Sequence, residues 1–554
     1  MLTNQEDNLI YMFERTFREN YTLNAVTDYG TLNTLTYGQL AQEIWKYHYL
    51  FQQAGVKVGD KVALMGRNNV HWVTVYLATM TYGAILVPIM QEFTADDALH
   101  ILNHSESEVL FITDAIWEGI ELEQLDKMRV VYSLTDLHII AKRPKTTGAD
   151  YEAASKAFAE RFPNGMTAED IHFTPRDNKE VLSINYTSGT TGFSKGVITP
   201  CNAMAGNIKL AFQSKLVYPG CRHVAFLPLA HAYGCAFDFM SCLAAGGHSY
   251  LLGRTPAPKI LLKAFAEVKP TTILSVPLVL EKIYKKIIVP QITKAPVSWV
   301  LKVPFLDEVV YKKIRETLVE AFGGAFREVI IGGAPLNAEV EHFLHKIKFP
   351  LTVGYGMTEC APLISYTPYD HFKPFSCGQP LEGLMEARIA HPDADGVGEI
   401  EVRGENCMYG YYNNAEATNK IMTKDGWLKT GDLGIIDQDG FIFIKGRSKT
   451  MLLGPNGQNI YPEEIEEKLN NMPYVSESLV IQRDGTKLVA LVYPDMEAAD
   501  KEGLNEQTLQ EAMEQNRKDL NARLAAYEQL SSIVLHRTEF EKTPKKSIKR
   551  FLYV

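Results

Sequence analysis

Glycine, hydroxyl and lysine residues crowd one stretch of this chain, YTSGTTGFSKGV from Tyr186 to Val197, directly after the apolar run Val181 to Ile184. Glycines let a backbone turn through positive φ and approach a ligand closely, while backbone N–H groups and hydroxyls donate hydrogen bonds. Thr187, Ser188, Gly189, Thr190, Thr191, Gly192 and Lys195 therefore read as a cradle for phosphate, with the lysine supplying charge. The pattern is not Gly-x-x-x-x-Gly-Lys-Ser/Thr, because Gly196 follows the lysine. A plain solvated turn is the competing reading of such a composition, but it gives no reason for a single lysine ending an uncharged run behind a buried-strand pattern.

Other residues of the right type stand at the ends of apolar runs. YGMTE, Tyr355 to Glu359, puts an aromatic ring, Gly356, Met357, the Thr358 hydroxyl and a carboxylate after PLTVG. Such a set can stack on a base, touch a phosphate and hold a divalent cation, or can be core and solvated charge. GGAPL, Gly332 to Leu336, either lets a ligand ring lie on the bare backbone of Gly333, Ala334 and Pro335 or turns a strand into a helix capped by Asn337. Asp432 in KTGDLG suits two ribose hydroxyls or a turn before a strand. Arg447 lies in GRSKT, and His231 and Tyr233 lie in LPLAHAYG. No His, Cys and carboxylate cluster shows zinc spacing, and no Gly-x-Ser-x-Gly elbow is present.

These residues need scaffolding. Between about 180 and 360, VLSINY, HVAFLPLA, TTILSVP, REVIIGG and PLTVGYG read as short buried strands. LVLEKIYKKI and NAEVEHFLHKIK have helical spacing, so the region predicts parallel βαβ units whose strand-end loops converge on a ligand. GDKVALMGRNNVHWVTVYLATMTYGAILVPI repeats the theme as a second layer. After about 385, EARIAHPDADGVGEIEVRG and DLGIIDQDGFIFIKGR predict antiparallel strands joined at Asp-Gly turns. Past Arg447 come a helix (PEEIEEKLNNM), a hairpin (SLVIQRDGTKLVALVYP) and a charged helical stretch near 505–528. The expected division is a large domain, 1–447, and a small one, 448–554, with the boundary at Arg447 to Thr450.

Composition excludes several classes. The chain has 554 residues, 46% hydrophobic and 22% charged, as in globular proteins of more than one domain. A net charge of −10 speaks against a dedicated nucleic-acid binder. No apolar run approaches the length of a membrane span, and MLTNQEDNLIYMFERTFREN lacks the basic start and apolar core of a signal peptide. The seven cysteines show no Cys-x-x-Cys pairing and read as scattered reduced thiols of a cytoplasmic protein.

In this order and spacing, YTSGTTGFSKGV, YGMTE, TGD and GR resemble the adenylate-forming enzymes: acyl-CoA synthetases, luciferase and peptide-synthetase adenylation domains. FREVIIGGAPLNAEVEHFLHKIKFPLTVGYGMTECAP, LPLAHAYG and KPTTILSVPLVLEKIYKKI look most like long-chain fatty acid–CoA ligases. The resemblance implies an α/β fold with a large layered N-terminal domain and a small mobile α+β C-terminal one. It implies ATP and Mg²⁺ as cofactors, coenzyme A as co-substrate and a fatty acid as acyl donor, with an acyl carrier protein as the alternative acceptor. A non-catalytic nucleotide- and lipid-binding protein is the rival from another class. By the same resemblance Thr187 to Lys195 holds the β- and γ-phosphates, Thr187 and Glu359 hold Mg²⁺, and Thr358 touches the α-phosphate. Gly333 to Pro335 and Tyr355 flank adenine, Asp432 and Arg447 hold ribose, and His231, Tyr233 and Gly332 border the acyl pocket. Lys449 is the implied hinge, and GPNGQN, Gly454 to Asn459, a candidate lining of the pantetheine channel. The family's tail lysine, in Gly-Lys-aliphatic-x-Arg, has no direct counterpart in EKTPKKSIKRFLYV. Three back from Arg550 is Ser547, whereas three back from Lys549 is Lys546, which is the choice, with Lys545 in reserve. A basic tail touching anionic lipid is the other reading, giving at most peripheral contact with the inner face of a membrane.

Overall fold

A computed structural model of the protein describes residues 5–144, 146, 150–187, 194–254, 257–293, 306–454, 458–483, 487–543 and 547–554. The largest layer is an eight-stranded sheet. From one edge its order is Gly410–Tyr411, Lys195–Pro200, Val181–Thr187, Ile85–Ile89, Lys61–Met65, Val109–Ile112, Val130–Ser133 and Ile139–Lys142. The middle strands run parallel, as apolar runs without polar alternation should when both faces are covered. Helix Val70–Tyr82 has no polar face, and eleven of its residues are buried. Asn69 caps it by accepting from the Trp72 N–H at 2.7 Å.

The expectation of uniform βαβ units fails at the phosphate-type loop. Val181–Thr187 and Lys195–Pro200 are antiparallel neighbours, registered from Val181↔Pro200 to Thr187↔Lys195. Val197, Ile198 and Thr199 are β-branched and form a strand, so the element that follows Val181–Thr187 among the described residues is its antiparallel partner and not a helix.

A second layer is the parallel sheet Ile273–Ser275, Val329–Ile331 and Leu351–Val353, whose strands end level with one another. A third sheet orders Arg222–Ala225, His248–Leu251, Asn24–Asp28 and Thr34–Thr36. Arg222–Ala225 stops short of the LPLA run that the sequence pattern joins to it. The antiparallel meander is present as Met385–Ala390, Gly398–Gly404, Leu428–Ile436 and Ile442–Arg447.

The C-terminal lobe has a core of its own, with Ile465, Leu469, Val480, Val492, Met513 and Ile533 clustered apart from the main one. Helices Pro462–Asn470 and Glu506–Asn521 cover the hairpin Val475–Arg483 and Lys487–Pro494, and Leu530–Leu535 adds a parallel third strand. Inside this lobe Glu466 accepts from the Val480 N–H at 2.6 Å and pairs with the Arg550 guanidinium of the tail. Burial pushes its carboxyl up from 4.5 to about 7 against the pull of Arg550. A proton is then held more tightly in the folded chain. The resulting stabilisation is complete below pH 4.5 and is lost as pH rises to about 7. The stability of the protein relative to Glu466→Gln, from denaturant midpoints, is therefore expected to fall across that window; a difference independent of pH contradicts it.

Candidate functional site

Level strand ends in the second layer bring three loops to one edge. The Gly332 N–H donates to Ser275 O at 3.1 Å, and the Gly354 N–H to Ile331 O at 2.8 Å. Gly333 turns the chain at φ +88, a conformation that favours glycine, and a Cβ there would meet nothing closer than 3.9 Å. Gly332 is different. A Cβ there would lie 3.1 Å from the ring of buried Tyr233, whose hydroxyl donates to Ile330 O at 3.0 Å. Tyr233 thus covers Gly332, while Gly333, Ala334 and Pro335 stay exposed. Asn337 caps the helix Ala338–Lys346, accepting from Glu339 and Val340 N–H at 3.1 and 3.3 Å. The Tyr233 N–H donates to His231 Nδ1 at 3.3 Å, which holds that imidazole at the head of the π-helix Gly234–Ser241.

Tyr355 begins the short strand Tyr355–Gly356, and its hydroxyl donates to Asp432 Oδ2 at 2.7 Å. Asp432 and Arg447 stand opposite each other on antiparallel strands, with Nε to Oδ1 at 3.2 Å. Burial raises the Asp432 carboxyl above its ordinary range, and Arg447 and the Tyr355 hydroxyl pull it back down. Asp432 is buried while most of the Arg447 side chain is in solvent. Gly356 is required by packing, since a Cβ there would come within 2.2 Å of Pro362 O. The Met357 N–H donates to that same carbonyl at 2.8 Å, and Thr358 opens the turn Thr358–Cys360 that presents Glu359.

Glu359 connects this edge to the large sheet. Its Oε1 accepts from the Tyr411 hydroxyl at 2.8 Å, and Lys195 Nζ lies 5.0 Å from the Tyr411 ring centroid. Lys195 in turn stands opposite Thr187. Two groups thus come together from four sequence segments, Tyr355, Asp432 and Arg447 in one and Thr187, Lys195, Tyr411 and Glu359 in the other. Ser188, Gly189, Thr190, Thr191, Gly192, Lys545 and Lys546 lie outside the described residues, as does part of the Gly454 to Asn459 segment.

A family model described as AMP-binding enzyme matches residues 13–412. The chain belongs to the AMP-binding enzymes. It is 30% identical over 491 residues to a long-chain-fatty-acid–CoA ligase, FadD15, of Mycobacterium bovis, covering 85% of this chain and 78% of that one. It is 29% identical over 489 residues to the 3-[(3aS,4S,7aS)-7a-methyl-1,5-dioxo-octahydro-1H-inden-4-yl]propanoyl:CoA ligase of Rhodococcus jostii, covering 87% of each. The fold matches ATP-bound MatB from Rhodopseudomonas palustris with a TM-score of 0.76, at 23% identity and 98% coverage of both chains. The architecture is that of the adenylate-forming enzymes, a large α/β domain followed by a small one.

In this AMP-binding enzyme the small domain rests beside the same edge. The Ala338 N–H donates to Glu467, Asn337 Nδ2 donates to Asn471 Oδ1 at 2.8 Å, and Lys285 Nζ reaches Asn470 O at 3.4 Å. Lys449 is exposed in the turn after Arg447, and Thr450 donates to Glu463 Oε1 at 2.6 Å. Among the described residues no helix is long and apolar enough to cross a membrane.

Two groupings escape sequence reasoning. Tyr411 sits on a two-residue strand inside MYGYYNN, which has no period-2 pattern; only its antiparallel pairing with Val197 brings it to Lys195. Cys221, His223 and Cys242 have no metal-type spacing in sequence, yet the fold gathers them into one buried cluster.

Proposed function

We propose that the protein is an AMP-forming long-chain fatty acid–CoA ligase working in two half-reactions. First, a carboxylate oxygen attacks the α-phosphorus of ATP and the bond to pyrophosphate breaks, leaving an acyl-adenylate. Then the coenzyme A thiol, losing its proton, attacks the acyl carbon and AMP departs. A carboxylate is a poor electrophile, and joining it to AMP turns one of its oxygens into a leaving group. The first step asks of the protein mainly positioning and charge neutralisation.

The observation that carries the nucleotide side is buried Asp432, held between Tyr355 and Arg447 beside the exposed Gly333 to Pro335 backbone. In this reading Asp432 accepts from both ribose hydroxyls and Arg447 adds charge at the rim. Adenine lies between Tyr355 and Gly333 to Pro335, and Gly356 and Met357 close that side. Thr358 donates to the α-phosphate, and Lys195 with the segment from Thr187 to Gly192 holds the outer phosphates. Thr187 and Glu359 offer hydroxyl and carboxylate oxygens, the donor type that Mg²⁺ takes, and Glu359 keeps acceptor capacity beyond its bond to Tyr411. Mg²⁺ held there would neutralise charge on the phosphates. The boundary at Arg447 to Thr450 makes 448–554 a lobe that turns about Lys449, and turning it breaks the contacts of Glu467 and Asn471 with the 337–338 corner.

A long apolar acyl group is supported by the substrate named for the FadD15 relative and by the apolar core that contains Tyr233, whose ring covers Gly332. Each buried methylene is worth about 0.8 kcal/mol, so kcat/KM should rise roughly fourfold per carbon until the pocket is full. A panel of acetate, octanoate, palmitate and benzoate, assayed by AMP release with coenzyme A present, tests this. Steep growth toward palmitate is expected; a flat profile, or a maximum at acetate or benzoate, contradicts it.

A further inference from the structure

We propose that Cys221, His223 and Cys242 form a buried zinc site, separate from the nucleotide edge, with Asp238 orienting the imidazole. The two sulfurs lie 4.0 Å apart, and they and a nitrogen of His223 all lie within 4.8 Å of one another. Two thiolates about 2.3 Å from one zinc ion at a tetrahedral angle are separated by about 3.8 Å, so the cysteines already stand at the spacing the ion requires.

Backbone geometry builds the cluster. Cys221 and His223 are two apart at the start of the strand Arg222–Ala225, so their side chains share a face. Asp238 and Cys242 are four apart on the helical segment running from Gly234–Ser241 into Cys242–Ala244, and again share a face. Gly247 passes directly over both sulfurs. A Cβ there would sit 2.4 Å from Cys221 Sγ and 2.8 Å from Cys242 Sγ.

Three side-chain polar atoms here lack the hydrogen-bond partners that buried groups normally find. His223 and Asp238 are each 1% exposed, yet neither His223 nitrogen nor Asp238 Oδ2 has a hydrogen-bond partner. The imidazole Nδ1 faces Asp238 Oδ1 at 3.5 Å, which leaves Nε2 as the metal-binding lone pair and gives the carboxylate–histidine–metal order of zinc centres. Nearby carbonyls of Leu243 and Gly247 are already taken by the Tyr37 hydroxyl, at 3.1 and 2.7 Å. Binding releases the two thiol protons, and the ion offsets the two thiolate charges. Two cysteines and a histidine are a soft N/S donor set that selects zinc over hard cations. The ion would tie the start of one strand to the end of the helix that follows His231 and Tyr233.

The test is elemental analysis of the full-length protein, purified without chelators or metal-affinity resin. About one zinc per chain is expected in the wild type, under about a tenth of that in Cys242→Ala and His223→Ala, and full occupancy in the control Cys377→Ala. Asp238→Asn should keep the ion but release it to a chelator with a 10- to 100-fold weaker affinity, as expected of a positioning carboxylate. Wild-type protein that turns over with under about a tenth of a zinc per chain overturns the proposal without any variant. So does a Cys221–Cys242 disulfide seen by mass spectrometry, copper in place of zinc, or zinc retained in Cys242→Ala.

Discussion

Replacing Lys546 with alanine is expected to slow pyrophosphate release by about a hundredfold or more, the rate equivalent of losing roughly 3 kcal/mol of transition-state stabilisation. The resemblance to adenylate-forming enzymes gives this lysine the work of neutralising the meeting of two anions, the fatty carboxylate and the α-phosphate, and only the first half-reaction has that meeting. The variant should therefore convert supplied acyl-adenylate and coenzyme A to product at close to the wild-type rate. The described basic residues of the tail are paired elsewhere. Lys549 Nζ lies 3.5 Å from Glu541, Lys542 is shared between Glu477 and Glu539 at 2.7 and 2.5 Å, and Arg550 is anchored on Glu466. Lys549→Ala should consequently change both steps only modestly, as a surface pair would. Selective loss of adenylation in Lys545→Ala would move the register by one residue. No selective lysine in the tail would remove the catalytic-lysine assignment.

Asp432→Ala carries the second large effect. Hydrogen bonds to a charged acceptor contribute about 1.5–3 kcal/mol, so ATP affinity should fall roughly 10- to 150-fold while fatty acid affinity stays near wild type. The role needs the ionised form, so ATP binding should hold above the pKa of Asp432 and be lost as pH falls through it. Burial raises that pKa, and Arg447 and Tyr355 oppose the rise. Tyr355→Phe removes one opposing contact and should move the acid limb of ATP binding to higher pH. Wild-type ATP affinity in Asp432→Ala, or an acid limb unmoved in Tyr355→Phe, would contradict the ribose assignment.

The parallel three-stranded sheet was legible because TTILSVP, REVIIGG and PLTVGYG are short apolar runs closed by glycine or proline, and a buried strand needs little else. The meander was legible from Asp395-Gly396 and Asp439-Gly440, turn pairs between runs of strand-forming residues. Asp432, Tyr355 and Arg447 were found as types at the ends of such runs. The Asp432–Arg447 pairing follows from the hairpin closed at Asp439-Gly440, whereas the Tyr355–Asp432 contact joins residues 77 apart, which no local pattern encodes. The hairpin at Lys195–Pro200 was missed because KGVITP follows a glycine-rich loop and holds too few residues to show alternation. Tyr411 and the Cys221–His223–Cys242 cluster were missed for a related reason. Each depends on which elements become neighbours, and that is decided by the packing of whole layers.

In the proposed reaction ATP is cleaved to AMP in order to join a fatty acid to coenzyme A. The most direct measurement is product analysis by mass spectrometry after incubating the protein with ATP, Mg²⁺, palmitate and coenzyme A. Palmitoyl-CoA, AMP and pyrophosphate in equal amounts are predicted, with AMP falling to the level of one turnover or less when coenzyme A is omitted. ADP and phosphate as the nucleotide products, or AMP formed at the same rate with and without palmitate, would contradict the account.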